Sequence, residues 1–286
     1  MTLIVEAVGA QALVEDLGRP GHAAVGVPPG GALDRAALRL GNRLLGNPEG
    51  AAGIEVLLGG LVLRASGPAL ICVTGAPVPL RHKATPVALG QPIAVQAGDR
   101  LSLGMPVAGL RSYVTVRGGL AVPLLYGSAS SDPTARLGPP PLAIGTVLPL
   151  GPMPAIPVPR AGVETVTASV LPAEGLTAHL VLGPRAEVFT PAAVRLLTST
   201  SWTATADGNR VGLRLAGPRL ERRIVAELPS EGMVTGALQV PPSGQPIVFL
   251  ADHPTTGGYP AVAVVAEDDL DGFAQLRPGE VVRFTT

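Results

Sequence analysis

The stretch that decides the fold is PIVFLADHPTTGGYPAVAVV, residues 246–265, in which two short apolar runs enclose a polar turn with paired glycines. Runs of this length, rich in Val, Ile, Leu and Phe and bounded by turn residues, are typical of β-strands. Outward from this stretch, short apolar runs between Gly, Pro, Asn or Asp recur along the whole chain. We therefore predict a mainly β protein with a few short helices.

Strands are predicted in both halves of the chain, and helices are predicted at three places. The strand-like runs are Ile4–Val8, Leu61–Leu63, Ala69–Val73, Pro92–Val95, Arg100–Leu103, Arg111–Val116, Ala178–Leu182, Thr203–Ala206, Gly212–Leu215, the residues around Gln239, Ile247–Leu250, Ala261–Val265 and Val281–Phe284. The helices are Ala32 to Leu45, where Leu33, Ala37, Leu40 and Leu44 recur at helical spacing, Pro191 to about Leu197 with Thr190 as N-cap, and a short helix near Asp268.

The composition favours two folded domains. The chain has 286 residues, and its 37 glycines and 31 prolines are scattered without a period among many apolar residues, which argues against disorder. Proline density is highest over residues 138–162, and this segment is predicted to be an extended connection. We place the boundary near residue 150, which gives domains at 1–150 and 151–286.

Charge and hydropathy exclude several classes of protein. The formal net charge is +0, and one Trp and three Tyr offer little stacking surface, so nucleic acid is not an expected partner. The N-terminus lacks the features of a signal peptide, and Arg64 interrupts the most apolar region, so no membrane span is expected. Cys72 is the single cysteine and lies in an apolar run, which favours a buried thiol and a reducing cytoplasm.

Common catalytic motifs are absent from the sequence. Lys83 is the only lysine and belongs to no glycine-rich loop, so there is no P-loop, and any biotin would have to be carried by another protein. The four histidines form no metal-binding motif, and no metal is expected. Ser128 and Ser230 lack the G-x-S-x-G elbow of a serine nucleophile.

The polar turn in ADHPTTGGYP is the main candidate site. Asp252 and Glu231 are carboxylates near strand ends, and His253 can exchange a proton near neutral pH. Hydroxyls and bare backbone that could reach a ligand come from Thr255, Thr256, Gly257, Gly258 and Tyr259. The alternative is an ordinary polar turn between strands. A second candidate is Arg210 with Arg214, which could hold a carboxylate or could be surface arginines of a strand pair.

Long irregular motifs carry a resemblance to a known family. They are SEGMVTGALQVPPSGQPIVFLADHPTTGGYP, AQLRPGEVVRF, GVPPGGALDRAALRLGNRLLGNPEGAAGIEV, TGAPVP, RSYVTVRGGLAVP and DGNRVGLRLAGPRL. In order and spread they resemble the biotin-dependent carboxyltransferase (allophanate hydrolase subunit 2) family. This family includes the C subunit of bacterial 5-oxoprolinase and the antagonist of a sporulation-kinase inhibitor.

The resemblance implies a fold, partners and site residues. The fold is two cyclophilin-like β-barrel subdomains, and the partners are a homologue of the 5-oxoprolinase B subunit, similar to the kinase inhibitor, in a hetero-oligomer, and a third 5-oxoprolinase subunit. The implied site residues are Asp34, Asn42, Arg111, Asn209, Arg210, Glu231, Gln239 and the loop from Asp252 to Tyr259. The chain departs from the family pattern at Pro254, where glutamine is usual, and at Ala129, where arginine is usual.

The leading functional hypothesis is a subunit of ATP-dependent 5-oxoprolinase, which opens 5-oxoproline to glutamate and obtains ATP through the complex. In it Glu231, Asp252 or His253 handles a proton, while Arg210 and the Gly257 and Gly258 amides hold a carboxylate or a developing oxyanion. One alternative is carboxyl transfer to urea or a similar small amide, with biotin on a separate carrier. Another is a regulatory protein that binds a histidine-kinase inhibitor.

Overall fold

The computed structural model describes residues 1–159, 175–224 and 228–286, and confirms a mainly β chain with few helices. The described residues form two compact units. The first contains residues 1–19 and 34–159, and the second contains residues 20–33 and the described residues from 175 onward. The boundary near residue 150 stays a prediction, since residues 160–174, which include the end of the predicted connection, lie outside the described ranges.

The first unit consists of eleven strands and one helix. The strands are β1 (Thr2–Ala7), β2 (Gln11–Glu15), β3 (Gly53–Leu57), β4 (Val62–Ala65), β5 (Ala69–Gly75), β6 (Leu80–His82), β7 (Thr85–Val87), β8 (Ile93–Val95), β9 (Arg100–Leu103), β10 (Arg111–Val116) and β11 (Val147–Pro149). They form one sheet in the order β11-β1-β4-β9-β6-β7 and another in the order β2-β3-β10-β5-β8. Side chains of both sheets, such as Leu3 and Ile54, share one hydrophobic core.

Strand β10 lies at the centre of the five-stranded sheet and is buried along its whole length. Helix α1 (Arg35–Leu44) packs against β5 and β10, and the Thr74 hydroxyl donates to the Ala37 carbonyl at 2.7 Å. At Gly41 a Cβ would lie 2.7 Å from the Thr115 hydroxyl, so the close approach of helix and sheet requires glycine. The helix thus covers the face of β10 that would otherwise meet water.

The start of α1 is determined by a side-chain cap. The Asp34 carboxylate accepts a hydrogen bond from the Ala37 amide at 2.8 Å, which satisfies one of the free N–H groups of the first turn. The sequence-predicted helix from Ala32 to Leu45 is confirmed, with its start moved to Arg35 because Asp34 is the cap. Leu33, just before the cap, belongs to the core of the second unit.

The second unit is built on a closed barrel. Its strands are β12 (Leu176–Leu182), β13 (Ser201–Ala204), β14 (Gly212–Ala216), β15 (Glu231–Gly232), β16 (Ala237–Gln239), β17 (Ile247–Phe249), β18 (Thr256–Gly257), β19 (Ala261–Val265) and β20 (Val281–Thr285). Seven of them close in the order β12-β19-β16-β17-β14-β13-β20, with β12 and β20 pairing in parallel, and β15 and β18 form a separate pair. The barrel core includes Trp202 and Phe284, both almost completely buried.

Two further helices belong to this unit, and both were predicted. Helix α2 (Pro191–Ser199) has Thr190 as N-cap, accepting from the Ala193 amide at 3.1 Å, and proline in its first turn. Helix α3 (Leu270–Phe273) is one short turn that follows a 3₁₀ turn at Glu267–Asp269. Two other 3₁₀ turns lie at Ala23–Val25 and Pro184–Val188.

The proline-rich segment differs from the prediction of a plain extended connection. Val147–Pro149 pairs with β1 as the edge strand β11, and the Arg117 guanidinium donates to the Pro154 and Ile156 carbonyls. Proline is compatible with an edge strand because one side of that strand needs no backbone donor. No helix in the described ranges has the length and apolar character needed to cross a bilayer.

Candidate functional site

The loop predicted as the main site divides into a buried part and an exposed part. Asp252 and His253 are only 4% and 2% exposed, and two residues, Leu250 and Ala251, separate them from the end of the barrel strand β17. Gly258 and Tyr259 are exposed, with 47% of Tyr259 accessible. The titratable groups are therefore held in place by the barrel, while the glycine end of the loop faces solvent within this unit.

Asp252 forms a buried ion pair with Arg210. The two guanidinium contacts to the carboxylate measure 2.8 Å from Nε and 3.1 Å from Nη2, and Nη2 also donates to the Gly31 carbonyl at 2.7 Å. The Asp252 amide donates to the Arg210 carbonyl at 3.0 Å, which joins the two residues a second time. Because this bidentate geometry uses the fork of the guanidinium, Arg210 holds the turn and is poorly placed to hold a substrate carboxylate as well.

His253 is held in one orientation and one tautomer. Its Nδ1 lies 2.8 Å from the Pro254 carbonyl, which can only accept, so Nδ1 carries the proton and Nε2 presents a lone pair. The ring stacks on Phe249 with centroids 5.8 Å apart and planes 12° apart. Burial lowers the pKa of His253 below its usual value, so the side chain is neutral at pH 7. A neutral, oriented imidazole is suited to act as a general base.

Glu231 lies beside the glycine pair but is already paired. Its backbone pairs with Gly257 in the β15–β18 ladder, which brings it to the predicted loop. Its carboxylate accepts two hydrogen bonds from the Arg185 guanidinium, and this pairing keeps the pKa of Glu231 below its usual value. The carboxylate is therefore ionised near neutral pH and does not carry a proton to donate.

The other predicted loop residues are organised by backbone contacts. The Gln239 side-chain amide donates to the Tyr259 carbonyl at 3.1 Å, and the Met233 backbone N–H donates to the Thr255 carbonyl at 2.9 Å. A Cβ at position 257 would lie 2.6 Å from the Gln239 amide nitrogen, so Gly257 allows this packing. Thr256 is exposed on β18.

Asn209 and Asn42 have structural hydrogen bonds. The exposed Asn209 side chain accepts from the Val211 and Gly212 amides, which forms the turn that leads into β14. Asn42 is fully buried on α1 and donates to the Glu49 and Ala51 carbonyls at 3.0 and 2.8 Å. These contacts hold loops together and leave little capacity for a ligand.

Asp34 and Arg111, both in the first unit, are connected through two residues that were not predicted. The Asp34 amide donates to the Tyr113 hydroxyl at 2.8 Å, and that hydroxyl donates to the Glu55 carboxylate at 2.8 Å. Arg111 Nε lies 3.3 Å from Glu55, and all of these side chains are buried. Burial, followed by the charge of Glu55, raises the pKa of Tyr113 well above its usual value, so the hydroxyl stays protonated.

A sequence signal for this group existed. Glu55 is a carboxylate inside the apolar strand GIEVL, and a buried charge needs a partner. Arg111 and Tyr113 are two positions apart on β10 and so lie on one face, and the strand register places Tyr113 opposite Glu55. The register depends on tertiary pairing, so the partner could not be identified from local pattern alone.

Other nucleophiles and metal sites receive no support. The Ser128 hydroxyl donates to Asp16 at 2.6 Å in a buried cluster with Ser130, where it holds a loop. Burial raises the pKa of Cys72 to about 12, which makes the thiol unreactive. Within the ranges that the structure describes, no group of three or more His, Cys, Asp or Glu side chains could hold a metal ion.

Comparison with known proteins shows the family. The family model described as carboxyltransferase domain, subdomain A and B, matches residues 25–286. The chain is 35% identical to the C subunit of 5-oxoprolinase from Escherichia coli (strain K12), over 96% of this chain and 88% of the relative. It is 30% identical to the urea amidolyase of Lachancea kluyveri, over 98% of this chain and 16% of that relative.

A solved structure agrees with both sequence matches. The Kluyveromyces lactis urea carboxylase superposes with a TM-score of 0.91 at 28% identity, over 99% of this chain and 27% of that chain. The chain therefore corresponds to a small part of the urea-processing relatives and to most of the 5-oxoprolinase subunit. The mainly β architecture and the long motifs agree with these matches, and the chain belongs to the carboxyltransferase domain, subdomain A and B, family.

Proposed function

We propose that this chain is the C subunit of an ATP-dependent 5-oxoprolinase and acts with partner subunits to convert 5-oxoproline to glutamate. The observation that carries the proposal is the 35% identity to such a 5-oxoprolinase subunit, over 88% of that relative. The urea amidolyase match is weaker, at 30% identity, and covers 16% of the relative. The partners in the proposal are a homologue of the B subunit and a third subunit, and a cytoplasmic location belongs to the same proposal.

His253 is the proposed general base of this chain. Its Nε2 lone pair accepts a proton during opening of the lactam ring, because Nδ1 is already protonated and bound to the Pro254 carbonyl. The ion pair between Asp252 and Arg210 fixes the turn that contains the imidazole. Glu231 then acts by positioning the loop through Arg185 and the β15–β18 pair, and it is not the proton carrier.

ATP is assigned to the complex and not to this chain. Lys83, the only lysine, lies in the exposed turn between β6 and β7, where it pairs with Asp99 at 3.0 Å. The described residues thus show no lysine in a phosphate-binding loop, and we derive no step through the nucleotide.

Carboxyl transfer to urea or a similar amide is the second candidate, and the family description and the urea amidolyase relative favour it. In that case carboxybiotin arrives on a separate carrier, since Lys83 is the single lysine of the chain and has no methionine neighbours of the kind found at biotin attachment sites. Dependence of activity on added biotinylated carrier, with urea in place of 5-oxoproline, distinguishes this candidate.

The test is reconstitution. The chain is purified together with its partner subunits, and glutamate release from 5-oxoproline is measured with and without ATP. We expect ATP-dependent release, and we expect His253→Asn, which keeps a donor near the Nδ1 position but removes Nε2, to lower kcat by about 100- to 10,000-fold.

The matched control is His179→Asn, because the His179 side chain is 67% exposed and contacts Asp269 at the surface. This variant should keep the activity of the unaltered complex. No glutamate from the complete complex rejects the assignment to 5-oxoprolinase, and full activity of His253→Asn in an active complex rejects only the base.

A further inference from the structure

The loop region contains three arginines with different partners. Arg210 is bound to the Asp252 carboxylate, and Arg185 is bound to the Glu231 carboxylate. Arg222 is different, because no carboxylate among the described residues pairs with it. A guanidinium that is partly buried without an anion retains an uncompensated desolvation cost, which a bound anion can offset.

Arg222 is held firmly in position. Its backbone bridges to Phe189, and the neighbouring Arg223 amide donates to the Val188 carbonyl at 2.8 Å. Its Nη2 donates to the Val240 carbonyl, next to Gln239 in the chain. The side chain is thus oriented by the barrel and needs no ligand to order it.

The guanidinium of Arg222 lies over the exposed end of the candidate loop. Its Cζ is 5.9 Å from the centroid of the Tyr259 ring, within the range of a cation–π contact. The side-chain amide of Gln239 donates to the backbone carbonyl of the same Tyr259. These contacts join Arg222 to the loop that contains His253 and the paired glycines.

Arg222 has hydrogen-bonding capacity left over. Its Nε is buried with no partner, and among the described residues its side chain makes one hydrogen bond, the one from Nη2. Burial lowers the pKa of Arg222 below its usual value, as expected for a guanidinium that no carboxylate of the described residues compensates. Arginine uses such free N–H groups to bind carboxylates with defined geometry.

We propose that Arg222, whose guanidinium lies over the ring of Tyr259, binds the carboxylate of a small cyclic amide substrate at the exposed end of the loop. The proposal rests on the proposed function, in which 5-oxoproline is a lactam with one carboxylate. It replaces Arg210, the carboxylate ligand expected from the sequence, because Arg210 is occupied by Asp252. It also makes Arg222 a determinant of specificity, since urea and unsubstituted lactams have no carboxylate to bind.

The test compares two adjacent arginines in the reconstituted complex. We expect Arg222→Ala to raise the KM for 5-oxoproline roughly 10- to 100-fold, the range for a hydrogen bond to a charged group, with a much smaller change in kcat. Arg222→Lys should recover part of the loss. The matched control is Arg223→Ala, because Arg223 is exposed and donates to the Glu187 carbonyl, and its KM should stay within about twofold of the unaltered complex.

A second substrate separates binding from structure. Turnover of 2-pyrrolidinone, which has the lactam ring without the carboxylate, should be slow in the unaltered complex and unchanged by Arg222→Ala. Equal losses with both substrates indicate a structural role for Arg222 and overturn the inference, as does an unchanged KM for 5-oxoproline. A complex without activity on 5-oxoproline rejects the proposed function and this inference together, whereas an active complex with an insensitive Arg222→Ala variant rejects this inference alone.

Discussion

Among the described residues, a buried arginine–carboxylate pair lies in each unit, Arg111 with Glu55 in the first and Arg210 with Asp252 in the second, and the two pairs have different neighbours. In the first unit, Arg111 and Glu55 continue through Tyr113 to the backbone at the start of α1. In the second unit, the Arg210 guanidinium that binds Asp252 also donates to the backbone carbonyl of Gly31. The first pair is part of a chain of hydrogen bonds between strands and a helix, and the second is a clamp on a turn.

The difference shows how similar pairs can serve different purposes. Tyr113 stays protonated because its raised pKa lies far from neutrality, so the first pair has a neighbour that does not titrate near pH 7. The second pair is followed by His253, whose pKa is held below its usual value by burial. The clamp of the second unit therefore holds the turn that contains the proposed base, and the hydrogen-bond chain of the first unit contacts the start of a helix.

The largest expected effect is the removal of one partner of the clamp. Asp252→Ala leaves the Arg210 guanidinium buried without its anion, and we expect the free energy of unfolding to fall by about 3–5 kcal/mol in urea titrations. The double variant Arg210→Met with Asp252→Leu should recover most of this loss, because no charge remains buried. A loss below about 1 kcal/mol for Asp252→Ala would show that solvent reaches the pair.

A smaller effect is expected where the first pair connects to the helix. Tyr113→Phe leaves the Asp34 amide without its acceptor and removes the donor to Glu55, so we expect a loss of about 1–3 kcal/mol in the free energy of unfolding. Tyr126→Phe is the matched control, because Tyr126 is 47% exposed, and it should change stability by less than about 0.5 kcal/mol. Equal effects of the two substitutions would contradict the proposed connection.

The smallest effect concerns pH. The pKa of His253 is lower in the folded than in the unfolded state, so the unfolded chain takes up the proton first, and stability falls as pH drops below about 6.5. His253→Asn removes this contribution. Unfolding by urea at several pH values between about 5 and 7.5 should show a shallower decline for the variant than for the unaltered protein, and parallel declines would place the titrating group elsewhere.

Local pattern was sufficient for most of the fold. The helical spacing of Leu33, Ala37, Leu40 and Leu44 predicted α1, and the cap Thr190 with the proline after it predicted α2, because both are local features. The cap Asp34 was not predicted, and the structure places Leu33 before the helix. Strands such as β15 and β18, of two residues each, have no periodic signal of their own and exist because they pair with each other. The edge strand β11 was not predicted because its segment is rich in proline, and it likewise exists because it pairs with another strand, β1.

The site was harder to predict than the fold because its contacts link distant positions. The sequence singled out Arg210 and Asp252 separately, yet their mutual pairing, 42 positions apart, determines which of them remains available. No sequence motif marked Arg222, because what distinguishes it is that no carboxylate among the described residues pairs with it. The sequence identifies charged residues that could bind a ligand, but only the tertiary structure shows which of them already pair with a residue of opposite charge.

Residues 20–33 belong to the second unit although most of the first unit follows them in the chain, and this limits how the protein can be divided into fragments. This segment supplies Leu33 to the barrel core, the Gly31 carbonyl to Arg210 and the Gly30 amide to the Ala251 carbonyl. A gene fragment starting at residue 151 would encode every barrel strand but none of these groups. During synthesis the segment leaves the ribosome long before the strands that receive it, so the barrel cannot be completed independently of the chain that precedes it.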